Sequence, residues 1–220
     1  MPLMGLAETL RAGADALWRK NLRHPFVQGI GDGTLPVERF KYFLRQDYIF
    51  LIGYSRALAI ASAKAPDLEG MTKFAELLYG TLSQEMTLHR GYCAGFGISA
   101  HSLEKTAAAT TTLAYTGFLA RTADAGSIHE IAAALLPCQW GYSDAGLHLA
   151  NTGDLSAKNR YTEWIQSYAS PEFKASADWL RGYLNRHGKD IPAPKKRRLQ
   201  RIFDTSARHE YHFWEMAWRV

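Results

Sequence analysis

The chain has 220 residues, 47% of them hydrophobic and 21% charged, a balance that excludes a disordered tail or a membrane-embedded protein and suffices for one domain with its own core. Its net charge of +5 owes much to Lys189, Lys195, Lys196, Arg197, Arg198 and Arg201. That cluster has no interleaved aromatics and no recognisable nucleic-acid motif, so it reads as a solvated helix face and no nucleic-acid partner is expected. Apolar residues recur at helical spacing nearly everywhere and no run alternates as a strand would, which predicts an all-α class: a single-domain helical bundle over 1–220. The predicted helices, in order, cover 6–22, 36–64, 67–95, 103–123, 128–151, 156–168, 171–187 and 194–220, joined by short connections. The glycine-rich run at 29–33 lacks the G-x-G-x-x-G spacing of a phosphate loop and follows no strand, so it reads as a turn between helices.

No apolar stretch approaches the roughly 20 residues that a membrane helix needs. Only two cysteines occur, Cys93 and Cys138, and residues Met1 to Leu6 do not resemble a leader. Free thiols and a cytoplasmic location are the expectation. Aromatics make up 12% of the chain, enough both to fill a core and to line a slot for a flat ring.

All prolines but one stand near the start of a predicted helix or between two. Pro137 falls inside the fifth predicted helix, directly before Cys138. An interior proline removes a hydrogen bond, clashes with the carbonyl four residues back and costs roughly 3 kcal/mol, which predicts a kink and some compensation. The ordinary reading of Cys138 is a small buried thiol. Other polar residues on apolar faces favour a site. Asp47 lies within the stripe Phe40, Phe43, Leu44, Tyr48 and Leu51, and Glu210 within Leu199, Phe203, Phe213, Trp214 and Ala217. Tyr142 stands one turn beyond Cys138. Burying two carboxylates is costly unless they are protonated or hydrogen-bonded, so two acids and a thiol on core-facing stripes point to a converging site. A second constellation competes: Glu85 and His89, repeated at the same spacing by Asp144 and His148, would suit a metal-dependent oxidase. The usual Glu-x-x-His pair of such bundles is absent.

Several runs together carry a family likeness: residues 24–36 (HPFVQGIGDGTLP), Arg39 to Tyr42 with Gln46 and Asp47, and Glu85 and Met86 with Leu88, His89 and Arg90. Further on come Ala133 to Cys138 with Trp140 and Tyr142, Trp164 and Ile165 with Tyr168, and Glu210 and Tyr211 with Phe213, Trp214, Met216 and Ala217. In order and spacing the chain resembles the thiaminase II (TenA) family from about residue 20 to the end. The resemblance implies a haem-oxygenase-like fold, no cofactor and a homotetramer. It also implies hydrolysis of a small-molecule aminopyrimidine, with release of ammonia from 4-amino-5-aminomethyl-2-methylpyrimidine, and cleavage of thiamine at the same methylene.

Carried over residue by residue, the resemblance makes Cys138 the nucleophile, Glu210 the proton donor to the leaving group and Asp47 the partner of a ring nitrogen. Tyr142 and Tyr168 match positions that hydrogen-bond substrate and acid, and Tyr115 matches a pocket aromatic. Phe50 stands where family members carry a tyrosine whose hydroxyl assists the cysteine, and Gln139 and Ser143 replace flanking aromatics. Two buried acids beside one thiol would raise its pKa, so at least one acid should be protonated or well hydrogen-bonded, with Tyr142 and Tyr168 as the expected donors. A third reading, a non-catalytic binder of a thiamine-related ligand, rests on the hydroxyl missing at Phe50.

Overall fold

Helical periodicity resolves into twelve α-helices in the computed structural model, which describes residues 4–220. Pro2 and the start of the run Met1 to Leu6 lie outside the described residues. The helices are α1 (Leu6–Gly13), α2 (Asp15–Leu22), α3 (Pro25–Gly31), α4 (Val37–Lys64), α5 (Leu68–Tyr79) and α6 (Met86–Gly95). They continue with α7 (Ala100–Glu104), α8 (Thr110–Ala125), α9 (Ile128–Thr152), α10 (Thr162–Tyr168), α11 (Pro171–His187) and α12 (Ala193–Trp218). No strand occurs among the described residues, as the all-α reading expects.

Four predicted boundaries change, each for a local reason. The first predicted helix breaks at Ala14, where Gln200 of α12 packs against Gly13 and donates to the carbonyl of Leu10 at 3.0 Å. The glycine-rich run is mostly helical. His24 caps α3 by accepting from the Phe26 N–H, Pro25 occupies its first turn, and the chain turns only at Asp32 and Gly33, where φ is +74°. Residues 105–109 are not helical, because the buried amide of Gln46 accepts from Ala109 N–H and the Thr112 hydroxyl and donates to the Ala107 carbonyl. Residues 156–161 form turns around Asn159, whose side chain donates to the carbonyls of Ile30 and Asp154 and accepts from Tyr161 N–H.

A fifth difference bears on the site. Between α5 and α6 the helix widens into a π-helical stretch, Gly80–Glu85, instead of continuing its α-helical register. The extra residue per turn rotates α6 relative to α5, and such stretches concentrate at functional positions. Phe74 before it is fully buried, while Leu82 within it and Leu88 beyond are about half exposed at 51% and 53%. Beyond the π stretch the buried face continues through Met86, His89 and Cys93, with Glu85 at its start.

α9 forms the centre of the molecule, with α8, α10, α11 and α12 packed around it, while α4 packs against α5, α8 and α9. Its start is fixed by a reciprocal cap, Ser127 with Glu130, worth about 1 kcal/mol. The helix runs unbroken through Pro137. In that turn, two carbonyls receive hydroxyl donors from other helices: Ser206 Oγ donates to Ala134 O at 2.6 Å and Tyr54 Oη to Leu135 O at 3.4 Å. The carbonyl that loses its helical partner to the proline is that of Ala133, and the hydroxyls from α12 and α4 meet the two carbonyls that follow it. Gly146 allows another close approach, since a Cβ there would stand 2.5 Å from the backbone carbonyl carbon of Tyr168. α10 can therefore press directly onto α9.

Candidate active site

Three helices carry the three groups singled out on apolar stripes: Asp47 on α4, Cys138 on α9 and Glu210 on α12. Asp47 and Glu210 are both buried, whereas the Cys138 side chain keeps part of its surface open. The Glu210 carboxyl lies close enough to the thiol for each to shift the other's titration. Burial pushes the Cys138 pKa well above its ordinary value, and the nearby carboxyls of Glu210, Glu85 and Asp47 push it further. At rest Cys138 is a neutral thiol.

Glu210 sits at the end of a hydroxyl chain. Tyr115 Oη of α8 lies 2.5 Å from Glu210 Oε1 and 3.1 Å from Ser206 Oγ, which donates to the Ala134 carbonyl. Burial raises the Glu210 pKa to about 7 even though the bond from Tyr115 and the nearby Cys138 thiol oppose the rise. Near neutrality the acid therefore exists in both forms, as a group that takes and returns a proton should.

Asp47 is pushed above the usual carboxylate range by burial, then by the charges of Glu85 and Glu210. It holds its proton where an exposed aspartate would not. Glu85, at the end of the π stretch, accepts a hydrogen bond from Tyr168 Oη at 3.1 Å, and burial carries its pKa to about 7 against that bond. The predicted acid-setting donors are thus corrected. Tyr115 serves Glu210, and Tyr168 serves Glu85.

A cavity of about 1000 Å³ opens between the α5–α6 arm, α4 and α10–α11, with Asp47, Glu85, His89, Gln139, Trp164 and Tyr168 in its wall. Its size exceeds what one pyrimidine ring fills. Tyr142 packs against Tyr168, Trp214 and Trp164, with ring centroids 4.9, 5.1 and 6.0 Å away, so flat faces gather beside the acids and the thiol. Such faces suit an aromatic ligand.

Phe50 is buried, with its ring 4.7 Å from that of Tyr115 and 5.6 Å from that of Phe213. It offers no hydroxyl. One turn further along α4, Tyr54 presents its hydroxyl 3.4 Å from both Gln139 Oε1 and the Leu135 carbonyl, close enough to Cys138 that a thiolate there would raise its pKa. Tyr54 escaped sequence reasoning, although its i+4 spacing from Phe50 was a usable signal. Gln139 and Ser143 are buried on α9, and Gln139 lines the cavity.

The competing metal constellation does not assemble. Asp144 accepts from the indole N–H groups of Trp18 at 3.0 Å and Trp140 at 3.1 Å, whereas Glu85 faces Tyr168 across the cavity. Among the described residues no three His, Cys, Asp or Glu side chains converge to hold a metal ion. None of the described helices is long and apolar enough to cross a membrane.

Comparison with known proteins bears on the family and the fold. The chain is 44% identical to the aminopyrimidine aminohydrolase of Halalkalibacterium halodurans over 215 residues, 98% of this chain and 96% of that one. The structure of a TenA homologue protein from P. horikoshii OT3 superposes with a TM-score of 0.91 at 32% identity, covering 98% of this chain and 99% of that chain. Haem oxygenase-1 from the cyanobacterium Synechocystis shares the fold alone, with a TM-score of 0.65 at 13% identity over 97% of this chain and 92% of that chain. The fold is TenA-like and haem-oxygenase-like, as the sequence implied. The model of the TENA/THI-4/PQQC family matches residues 11–220, and the chain belongs to that family.

Proposed function

We propose that the chain is an aminopyrimidine aminohydrolase acting in thiamine salvage. It would convert 4-amino-5-aminomethyl-2-methylpyrimidine and water to the hydroxymethylpyrimidine and ammonia, and cleave thiamine at the same methylene. The observation that carries this reading is the Cys138 thiol beside Glu210, an acid whose pKa of about 7 lets it exchange a proton at neutral pH. The named activity of the Halalkalibacterium relative supports the substrate class.

The chemistry needs a covalent step, because an amine on a methylene beside a neutral aromatic ring is a poor leaving group. In the proposed sequence the Glu210 carboxylate takes the thiol proton as Cys138 sulfur bonds to a ring carbon. Asp47 gives its proton to the ring nitrogen that gains electron density, which its raised pKa equips it to do. Ring electrons then expel the amine, and Glu210 returns its proton to it so that ammonia departs. Water adds to the exposed methylene carbon and loses a proton to Glu210. The ring nitrogen returns its proton to Asp47, and Cys138 leaves as the ring regains aromaticity, its sulfur taking back a proton from Glu210. One water is consumed and each protein group ends as it began.

Incubation with the aminomethylpyrimidine in ¹⁸O-labelled water tests the reading. Labelled hydroxymethylpyrimidine and ammonia in equal amounts are expected. Binding without either product would identify a binding protein instead and overturn the proposal. The resemblance also implies a homotetramer, and the sparse cysteines a cytoplasmic location. Sedimentation of the purified protein and fractionation of the source cells test those two points.

A further inference from the structure

His89 has a place in the cavity wall that the proposed chemistry does not use. The side chain is enclosed on α6, with 4% of its surface exposed, and its two ring nitrogens face different groups. Nδ1 lies 3.7 Å from Cys93 Sγ, one turn further along the same helix. Nε2 is shut off from solvent without a hydrogen-bond partner and stands 3.6 Å from Asp47 Oδ2. The backbone of Leu44, three residues before Asp47 on α4, also lies near the ring. A buried polar atom without a partner is costly, so this nitrogen demands an explanation.

Burial fixes the protonation states around it. It lowers the His89 pKa to about 4, so the ring is neutral and carries a single proton. Burial and the Asp47 charge raise the Cys93 pKa to about 12, so the thiol keeps its hydrogen and Nδ1 faces a donor. The ring proton then belongs on Nε2, which faces a carboxyl oxygen. Besides His89, Asp47 is surrounded by Glu85 from the π stretch, Cys138 and Tyr142 from α9, Tyr168 from α10 and Glu210 from α12.

We propose that His89 is a positioning residue for Asp47: Cys93 S–H donates to Nδ1, Nε2–H donates to Asp47 Oδ2, and the carboxyl proton is thereby kept on Oδ1. The proposal rests on the aminopyrimidine reading, because that substrate gives the arrangement its purpose. The edge of a 4-aminopyrimidine offers one acceptor, the ring nitrogen, beside one donor, the exocyclic amine. A neutral carboxyl with its proton fixed on Oδ1 presents the complementary pair: Oδ1–H to the ring nitrogen and Oδ2 to the amine. Oδ2 has two lone pairs and accepts from His89 and the amine together. Without the histidine, the proton divides between the two oxygens and the carboxyl turns freely.

Two measurements on the full-length protein test this. ¹⁵N spectra of the imidazoles, with His89 assigned by its loss in His89→Gln, read the tautomer directly. The neutral Nε2–H form is expected, and an Nδ1–H form or an imidazolium at neutral pH would overturn the proposal. Calorimetric binding of the product hydroxymethylpyrimidine gives the second readout. His89→Leu should weaken binding about tenfold, whereas His89→Gln, whose amide N–H reaches a similar point, should bind within about threefold of the parent. Equal binding by parent and His89→Leu, or equal defects in both variants, refutes the positioning role. A parent protein that neither binds this product nor releases ammonia refutes the aminopyrimidine reading itself.

Discussion

Replacing Tyr115 with phenylalanine separates the proton-exchange role of Glu210 from a purely steric role for the pocket aromatic. The substitution keeps the ring that packs 4.7 Å from Phe50 and removes only the hydroxyl 2.5 Å from Glu210 Oε1. Ser206 keeps its bond to the Ala134 carbonyl, so no buried donor loses its only partner. A hydrogen bond to a charged group contributes about 1.5–3 kcal/mol, and about 1.4 kcal/mol corresponds to one pKa unit. Tyr115 favours the carboxylate, so its loss should carry the Glu210 pKa from about 7 to roughly 8–9. In the proposed sequence the carboxylate accepts the thiol proton. The parent kcat/KM should therefore rise through pH 7, and that limb should move upward in Tyr115→Phe by one to two pH units. At pH 7 the variant should be about 5 to 50 times slower, with the gap closing as pH rises. Ammonia release measured across the pH range checks this. A constant ratio of rates at every pH would refute the proton-exchange account of Glu210.

Stability should carry the same electrostatic signature. Glu85 and Glu210 each bind protons more tightly in the fold, with a pKa of about 7, than an unperturbed glutamate does at 4.5. A raised carboxyl pKa means that stability is lost as pH rises from 4.5 to 7, at most about 3 kcal/mol per acid, and does not return above. Glu85→Gln should therefore be more stable than the parent at pH 8 and nearly equal at pH 4, as urea melts would show. Gly146→Ala should cost about 2 kcal/mol or more, because the new methyl would sit 2.5 Å from the Tyr168 backbone. It should also lower activity by moving Tyr168, a combination that thermal melts and ammonia release would detect together.

Much of the site was legible because helical periodicity is unforgiving about acids. Asp47 and Glu210 fall on stripes whose other members are buried, so their enclosure followed from spacing alone. The same spacing places Tyr142 beside Cys138. The π stretch at Gly80–Glu85 was not legible, because one inserted residue leaves no compositional mark, yet it turns Glu85 toward Tyr168 and His89 toward Asp47. Hydrogen-bond partners across helices were equally hidden. Tyr115 read as a pocket aromatic, and its partnership with Glu210 depends on how α8 packs against α12. The breaks around Gln46 and Asn159 come from single side chains that capture distant backbone groups, which local propensity cannot register. Around Pro137 the helix runs on without a break, and which hydroxyls from α4 and α12 would meet the carbonyls before it was hidden in the sequence.

Every step of the proposed chemistry passes through the Cys138 sulfur. Ammonia release from 4-amino-5-aminomethyl-2-methylpyrimidine, compared between the parent and a Cys138→Ala variant with the same helical circular dichroism, tests that most directly. The variant removes one thiol from a partly open position and keeps the helix, so it should fold and bind the hydroxymethylpyrimidine while releasing no ammonia above background. Turnover by the alanine variant at the parent rate would contradict the covalent route.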